Sequence, residues 1–165
     1  ASRLFEDLET GKISPAAFIS ALQKEAPHPV TERQITDAWN AMLLGFPLER
    51  LQLLQQLRSQ YDIFLLSNTN ALHLEAFNKM LMESRGMPSL ATLFEKTYYS
   101  HIMGLRKPYK EIYERVLEEN GLNPAETLFI DDSPQNSEGA RAAGLQTILL
   151  QPPKTILDIF RKENE

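Results

Sequence analysis

Two short apolar runs, Phe64-Leu65-Leu66 and Leu128-Phe129-Ile130, each stop at polar residues, Ser67-Asn68 after the first and Asp131-Asp132 after the second. Around them the pattern alternates between strand and helix. A strand-like Tyr61 to Leu66 gives way to a helical stretch from Ala71 to about Glu83, a short strand near Thr97 to Tyr99, and a helix from Tyr109 to Asn120. A strand from Thr127 to Ile130, a helix from Pro134 to Ala143 stopping at Gly144, a strand from Gln146 to Leu150 and a helix from Thr155 to Lys162 follow. Strands separated by helices of roughly ten or more residues are joined by crossovers, not hairpins, which makes the strands parallel. The expected fold is therefore α/β, a Rossmann-like doubly wound parallel sheet.

The chain ahead of the first strand reads as helices only. Leu4, Phe5 and Leu8 recur at helical spacing before Gly11, Ser14-Pro15 is a cap followed by a favourable first helical residue, and Thr31 with Gln34 forms a capping box ahead of Ile35, Trp39 and Leu43. Pro47 then opens a helix carrying Leu48, Leu51, Leu54 and Leu57. This divides the chain into a small helical bundle, residues 1–46, and an α/β core, residues 47–165.

Composition narrows the chemistry. A chain of 165 residues, 42% hydrophobic and 24% charged, is large enough to bury a core. A net charge of -5 disfavours nucleic acid and anionic membrane as main partners, since both demand clustered Lys and Arg. With no cysteine, disulfides, thiolate catalysis and Cys-based zinc sites are excluded. No apolar run approaches the roughly 20 residues that span a bilayer and no signal-peptide pattern is visible, so the cytoplasm is the expected location. Oligomeric state is not legible.

Open α/β sheets bind ligands outside the carboxyl ends of their strands, where Ser67, Asp131 and Asp132 stand. Lys107, held before Pro108 in an extended or turn conformation, adds an ammonium. A hydroxyl, a cation and two carboxylates suit a phosphate with a hard metal ion such as Mg²⁺. Ser67 and Asn68 would donate to phosphate oxygens, and Lys107 would offset charge at the phosphoryl group. Asp131-Asp132 would serve the metal, one acid on the ion and the other on a water or on the Lys. Ser133 and Asn136, one turn on, would support it. Plainer readings stand beside these: Ser67 to Asn70 as a turn with Asn70 capping the next helix, Asp132 as the cap of the helix opened by Ser133-Pro134, and Lys107 as a solvated surface charge. His28, His73 and His101 are scattered singly and form no ligand cluster, and Trp39 reads as packing.

The stretches FLLSNTN (Phe64 to Asn70), GLRKPYKEIY (Gly104 to Tyr113) and FIDDSPQNSEGARAAG (Phe129 to Gly144) resemble the second, third and fourth motifs of the haloacid dehalogenase superfamily. Within it they are most similar to sugar-phosphate phosphatases with a small helical cap, which residues 1–46 would supply. The resemblance implies a Mg²⁺-dependent phosphatase of a small phosphorylated metabolite. It also implies Lys107 and Ser67 as catalytic residues, Ser67, Asn68 and Lys107 as substrate-binding residues, and Asp132, then Asp131, as metal ligands. Alternatives in the same fold are a dehalogenase, which has no use for the acid pair, and a non-catalytic binding protein.

One departure qualifies the resemblance. The superfamily's first motif, a strand ending in Asp-x-Asp that supplies the nucleophile, occurs nowhere in these 165 residues. In the expected fold that strand lies centrally, between those ending at Ser67 and Asp131. Without it two rows of backbone groups would go unpaired, more than a marginal stability of roughly 5–15 kcal/mol absorbs. The expectation is that another segment supplies strand and nucleophile, and that residues 1–165 alone are inactive.

Overall fold

The caps read from sequence set the helices. In the computed structural model, which describes residues 3–160, α1 spans Arg3–Glu9, α2 Pro15–Glu25 and α3 Glu32–Asn40. The Ser14 side chain accepts from the Ala17 amide at 3.2 Å, and Thr31 and Gln34 form the reciprocal capping box. Then come α4 (Leu48–Leu57), β1 (Phe64–Ser67), α5 (Ala71–Arg85), β2 (Lys96–Tyr99) and the single turn α6 (Ser100–Met103). The series ends with α7 (Lys110–Asn120), β3 (Leu128–Asp131), α8 (Pro134–Ala142), β4 (Gln146–Leu149) and α9 (Ile156–Phe160). Lys162, the expected end of the last helix, lies outside the described residues, as do residues 1 and 2.

The strands are parallel, as the alternation requires. β1 pairs with β2 in the register Phe64 to Lys96 and Ser67 to Tyr99, and β3 pairs with β4 in the register Leu128 to Gln146 and Asp131 to Leu149. Each pair is a βαβ unit, crossed by α5 in the first case and α8 in the second. β1 starts later than the strand-like stretch read from Tyr61 because its partner spans only Lys96–Tyr99; one further bond, Glu95 N–H to the Ile63 carbonyl at 2.9 Å, extends the ladder backward. Two turns absent from the sequence reading, a 3₁₀ turn at Leu90–Leu93 and α6, bracket β2.

The chain forms two compact units, residues 1–104 and 105–165, each with one of the two-stranded sheets. The first holds two apolar clusters. Leu51, Phe77, Leu81, Leu93 and Tyr99 fill the space between α4, α5 and the strands, and Leu8, Phe18 and Ile19 centre the α1–α3 bundle with Phe5, Ile35, Trp39 and Leu72 around them. Leu72 belongs to α5, so the bundle's core continues into the helix that follows β1. At its other side the bundle meets α6, where a Cβ on Gly11, which sits at φ +68°, would collide with the His101 carbonyl. The first unit thus seats α1–α3 on the segments that leave the carboxyl ends of both β1 and β2. In the second unit, Ile112, Tyr113, Val116 and Leu117 of α7 and Ala140 of α8 are buried. Among the described residues no helix is long and apolar enough to cross a membrane.

Candidate functional site

At the carboxyl end of β3 the two adjacent acids part company. Alternation along an extended strand points consecutive side chains to opposite sides, and here the consequence is chemical. Asp131 is enclosed: its Oδ1 accepts from the Ser133 amide and from Asn136 Nδ2, both at 2.9 Å, and its Oδ2 accepts from Lys107 Nζ at 2.7 Å. Asp132 is exposed and makes no hydrogen bond or ion pair among the described residues.

The Lys107–Asp131 pair is buried, with side-chain exposures of 10% and 8%. Burial alone would push the Asp131 carboxyl up, but the Lys107 ammonium and the Ser133 and Asn136 donors outweigh it and hold the group below the usual carboxylate range. Lys107 Nζ also lies 5.4 Å from the centre of the Phe129 ring. The plainer alternative, in which Lys107 is a solvated surface charge, therefore falls away. A carboxylate on one side and an aromatic face on the other compensate the ammonium for lost water, so it lies inside.

Helix α8 and helix α7 hold this arrangement. Ser133 caps α8 by accepting from the Asn136 amide at 3.4 Å, so the alternative in which Asp132 is the cap falls away. Tyr113 Oη donates to the Asn136 carbonyl at 2.7 Å and its ring packs edge-on against Phe129 at 5.2 Å. Burial, with the Asp131 charge, pushes the Tyr113 phenol far above its ordinary range, which keeps it a neutral donor. Gly139 lets α8 close on the segment carrying Lys107: a Cβ there would overlap the Pro108 carbonyl and press on the Tyr113 ring at 3.0 Å. Tyr113 and Gly139 were not singled out in the sequence, although a glycine inside a helical pattern signals close backbone approach.

In the first unit, Ser67 ends β1 and Asn68 follows, both half-buried. The Ser67 hydroxyl makes no hydrogen bond among the described residues. The next residues are pinned. Ser100 Oγ accepts from the Thr69 amide and donates to the Thr69 carbonyl, both at 2.9 Å, and Ser100 is fully buried. Asn70 Oδ1 accepts from the His73 amide at 3.0 Å, so Asn70 does cap α5. The turn reading and the ligand reading coexist, because capping engages Asn70 and leaves Ser67 available. Nothing in the sequence pointed to Ser100. The histidines keep their plain roles: His28 is exposed, His73 is buried in the α3–α5 contact, and burial lowers the His101 pKa.

Lys107, Asp131, Ser133 and Asn136 are thus brought together in the second unit, with Asp132 beside them, whereas Ser67 and Asn68 belong to the first. Among the described residues no three of His, Cys, Asp and Glu gather as a metal cluster. The donor set nonetheless fits Mg²⁺, which takes one or two carboxylates and retains several waters. Asp132 presents an exposed carboxylate, a hard oxygen donor, and Asp131 is fixed next to it.

Comparison with known proteins adds the context. A family model described as haloacid dehalogenase-like hydrolase matches residues 16–144. The D-ribitol-5-phosphate phosphatase of Bacteroides thetaiotaomicron is 31% identical over 144 residues, 87% of this chain and 69% of that protein. A sesquiterpene phosphatase of Aspergillus oryzae is 29% identical over 145 residues, 87% of this chain and 70% of the relative. A solved haloacid dehalogenase family enzyme of Bacteroides thetaiotaomicron, in complex with magnesium and inorganic phosphate, superposes with a TM-score of 0.88 at 36% identity, covering 97% of this chain and 80% of that one.

Proposed function

The chain belongs to the haloacid dehalogenase-like hydrolase family, and from that membership we propose that the complete protein is a Mg²⁺-dependent phosphatase of a small phosphorylated metabolite of the sugar-phosphate class. The observation that carries the reading is the division of labour at the end of β3: Asp131 is spent on Lys107, and Asp132 stays free for a cation. A solved relative holding magnesium and inorganic phosphate, and a curated relative named for a sugar-alcohol phosphate, support it.

In this reading an aspartate outside the sequence attacks phosphorus, the bond to the alkoxide leaving group breaks, and the alkoxide leaves with a proton. Water then hydrolyses the aspartyl-phosphate, so one hard step becomes two. The residues here provide the surroundings. Lys107 balances charge on the phosphoryl oxygens from a rigid, ion-paired position, and Ser67 and Asn68 donate hydrogen bonds to them. Asp132, with Asp131 behind it, would hold Mg²⁺, which when bound neutralises the phosphoryl group. The bundle of residues 1–46 acts as the cap that screens the site and selects the leaving group. The nucleophile is supplied from outside residues 1–165, so these residues alone do not turn over. A dehalogenase would have no use for a free Asp132.

The test is phosphate release by the complete protein from sugar and polyol phosphates with Mg²⁺ titrated in, beside a haloalkanoate. Phosphate release that rises with Mg²⁺ is expected. Halide release without phosphatase activity, or phosphatase activity indifferent to chelator, would reject the reading.

A further inference from the structure

The aromatic cluster of the α1–α3 bundle has one member that does more than pack. Trp39, in the last turn of α3, stacks with Phe5 at 5.5 Å and lies 4.9 Å from the Phe18 ring, which would suffice for a core residue. Its other face stacks on His73 of α5, ring centres 5.1 Å apart and planes 18° from parallel. The same two residues are linked through the backbone: His73 Nε2 lies 3.1 Å from the Trp39 carbonyl, which can only accept, so this ring nitrogen carries the proton. Trp39 Nε1 makes a long hydrogen bond, 3.5 Å, to Asn70 Oδ1, the oxygen that also caps α5 through the His73 amide. Asn70 is 2% exposed and His73 8%. Every polar contact of this cluster therefore ends on Asn70 or His73, immediately after Ser67 and Asn68.

We propose that Trp39 is a positioning residue: with His73 it ties α3 to the segment Ser67 to Asn70, so that the cap helix and the phosphate-holding loop move as one piece and the loop is held in register for phosphoryl oxygens. This rests on the reading of Ser67 and Asn68 as phosphate ligands. The loop is then gripped from two sides, by Ser100 at Thr69 and by Trp39 with His73 at Asn70. Both grips lie outside the motifs that carry the chemistry.

The test compares the complete protein in wild-type, Trp39→Phe and Trp39→Leu forms. Trp39→Phe keeps a ring over His73 and loses the indole N–H; Trp39→Leu loses the ring as well. Amide hydrogen exchange is read over residues 68–73, with α7 as internal control, and inorganic phosphate affinity is read by calorimetry. Exchange over 68–73 should rise about fivefold in Trp39→Phe, the equivalent of one ordinary hydrogen bond, and further in Trp39→Leu, with α7 unchanged. Phosphate affinity should weaken in the same order. Unchanged exchange in folded variants, or a rise shared equally by α7, would reduce Trp39 to packing and overturn the proposal. If Trp39→Leu does not fold, Trp39→Phe decides. Failure of the wild type to bind inorganic phosphate would count against the phosphate reading of Ser67 and Asn68, and the exchange measurement would still decide the tie.

Discussion

Replacing Lys107 by methionine should destabilise the protein by an amount that depends on pH in a specific direction. Methionine keeps most of the buried stem and removes only the charge, leaving Asp131 with its Ser133 and Asn136 donors but no counter-ion. At the 2.7 Å separation of the pair, the gross attraction is about 6 kcal/mol at an effective dielectric of about 20. Desolvation of both ions opposes it, and removing one partner of such a pair generally costs about 3–5 kcal/mol, because the remaining charge stays buried. The wild-type Asp131 carboxyl is held below its ordinary value of 3.8, so its stabilising contribution is present above that pH and is lost as pH falls through the lower folded-state value. Without Lys107 the largest remaining influence is burial, which raises the pKa, and protonation then relieves the variant. The stability gap between wild type and Lys107→Met should therefore be greatest near neutral pH and shrink on acidification toward the ordinary carboxylate range. Urea unfolding of both proteins at a series of pH values measures it. A gap below about 1 kcal/mol at neutral pH, typical of an exposed pair, or a gap that does not change with pH, would refute the argument that this is a buried, mutually dependent ion pair.

Asp132→Asn should remove most Mg²⁺-dependent turnover in the complete protein while changing stability by no more than about 0.5 kcal/mol, since the side chain is exposed and unpartnered among the described residues; turnover assays with thermal melts check both halves. Gly139→Ala should cost about 1–3 kcal/mol or more, because its Cβ meets the backbone carbonyl of Pro108, which has no flexible end to yield; denaturant unfolding reads this, and a neutral effect would mean α8 does not close on that segment. Ser100→Ala strands both polar groups of Thr69 and should cost about 1–3 kcal/mol per buried group left unpaired, with weaker inorganic phosphate binding in the complete protein; calorimetric melting and titration test it.

The local chemistry of this chain is written in local sequence. Capping by Ser14, by Thr31 with Gln34 and by Asn70 depends on side chains within three residues of the amides they accept from, so each was readable without a fold. The parallel βαβ arrangement was readable for a related reason, since the lengths of α5 and α8 leave no hairpin option. What the sequence could not assign was which acid of Asp131-Asp132 faces inward, because that depends on the phase of a four-residue strand against a partner 24 residues away, Lys107. That Lys107 is buried and not a solvated surface charge was not readable for the same reason. Its dipeptide with Pro108 predicts backbone, but the carboxylate and the Phe129 ring that make burial tolerable arrive from β3. Ser100 went unread and Trp39 was read only as packing because their partners, Thr69 and Asn70, lie 31 residues away in the chain. Side chains that act at short range announce themselves by spacing, whereas those that brace a site across elements acquire their role only when packing brings distant backbone groups within hydrogen-bonding reach.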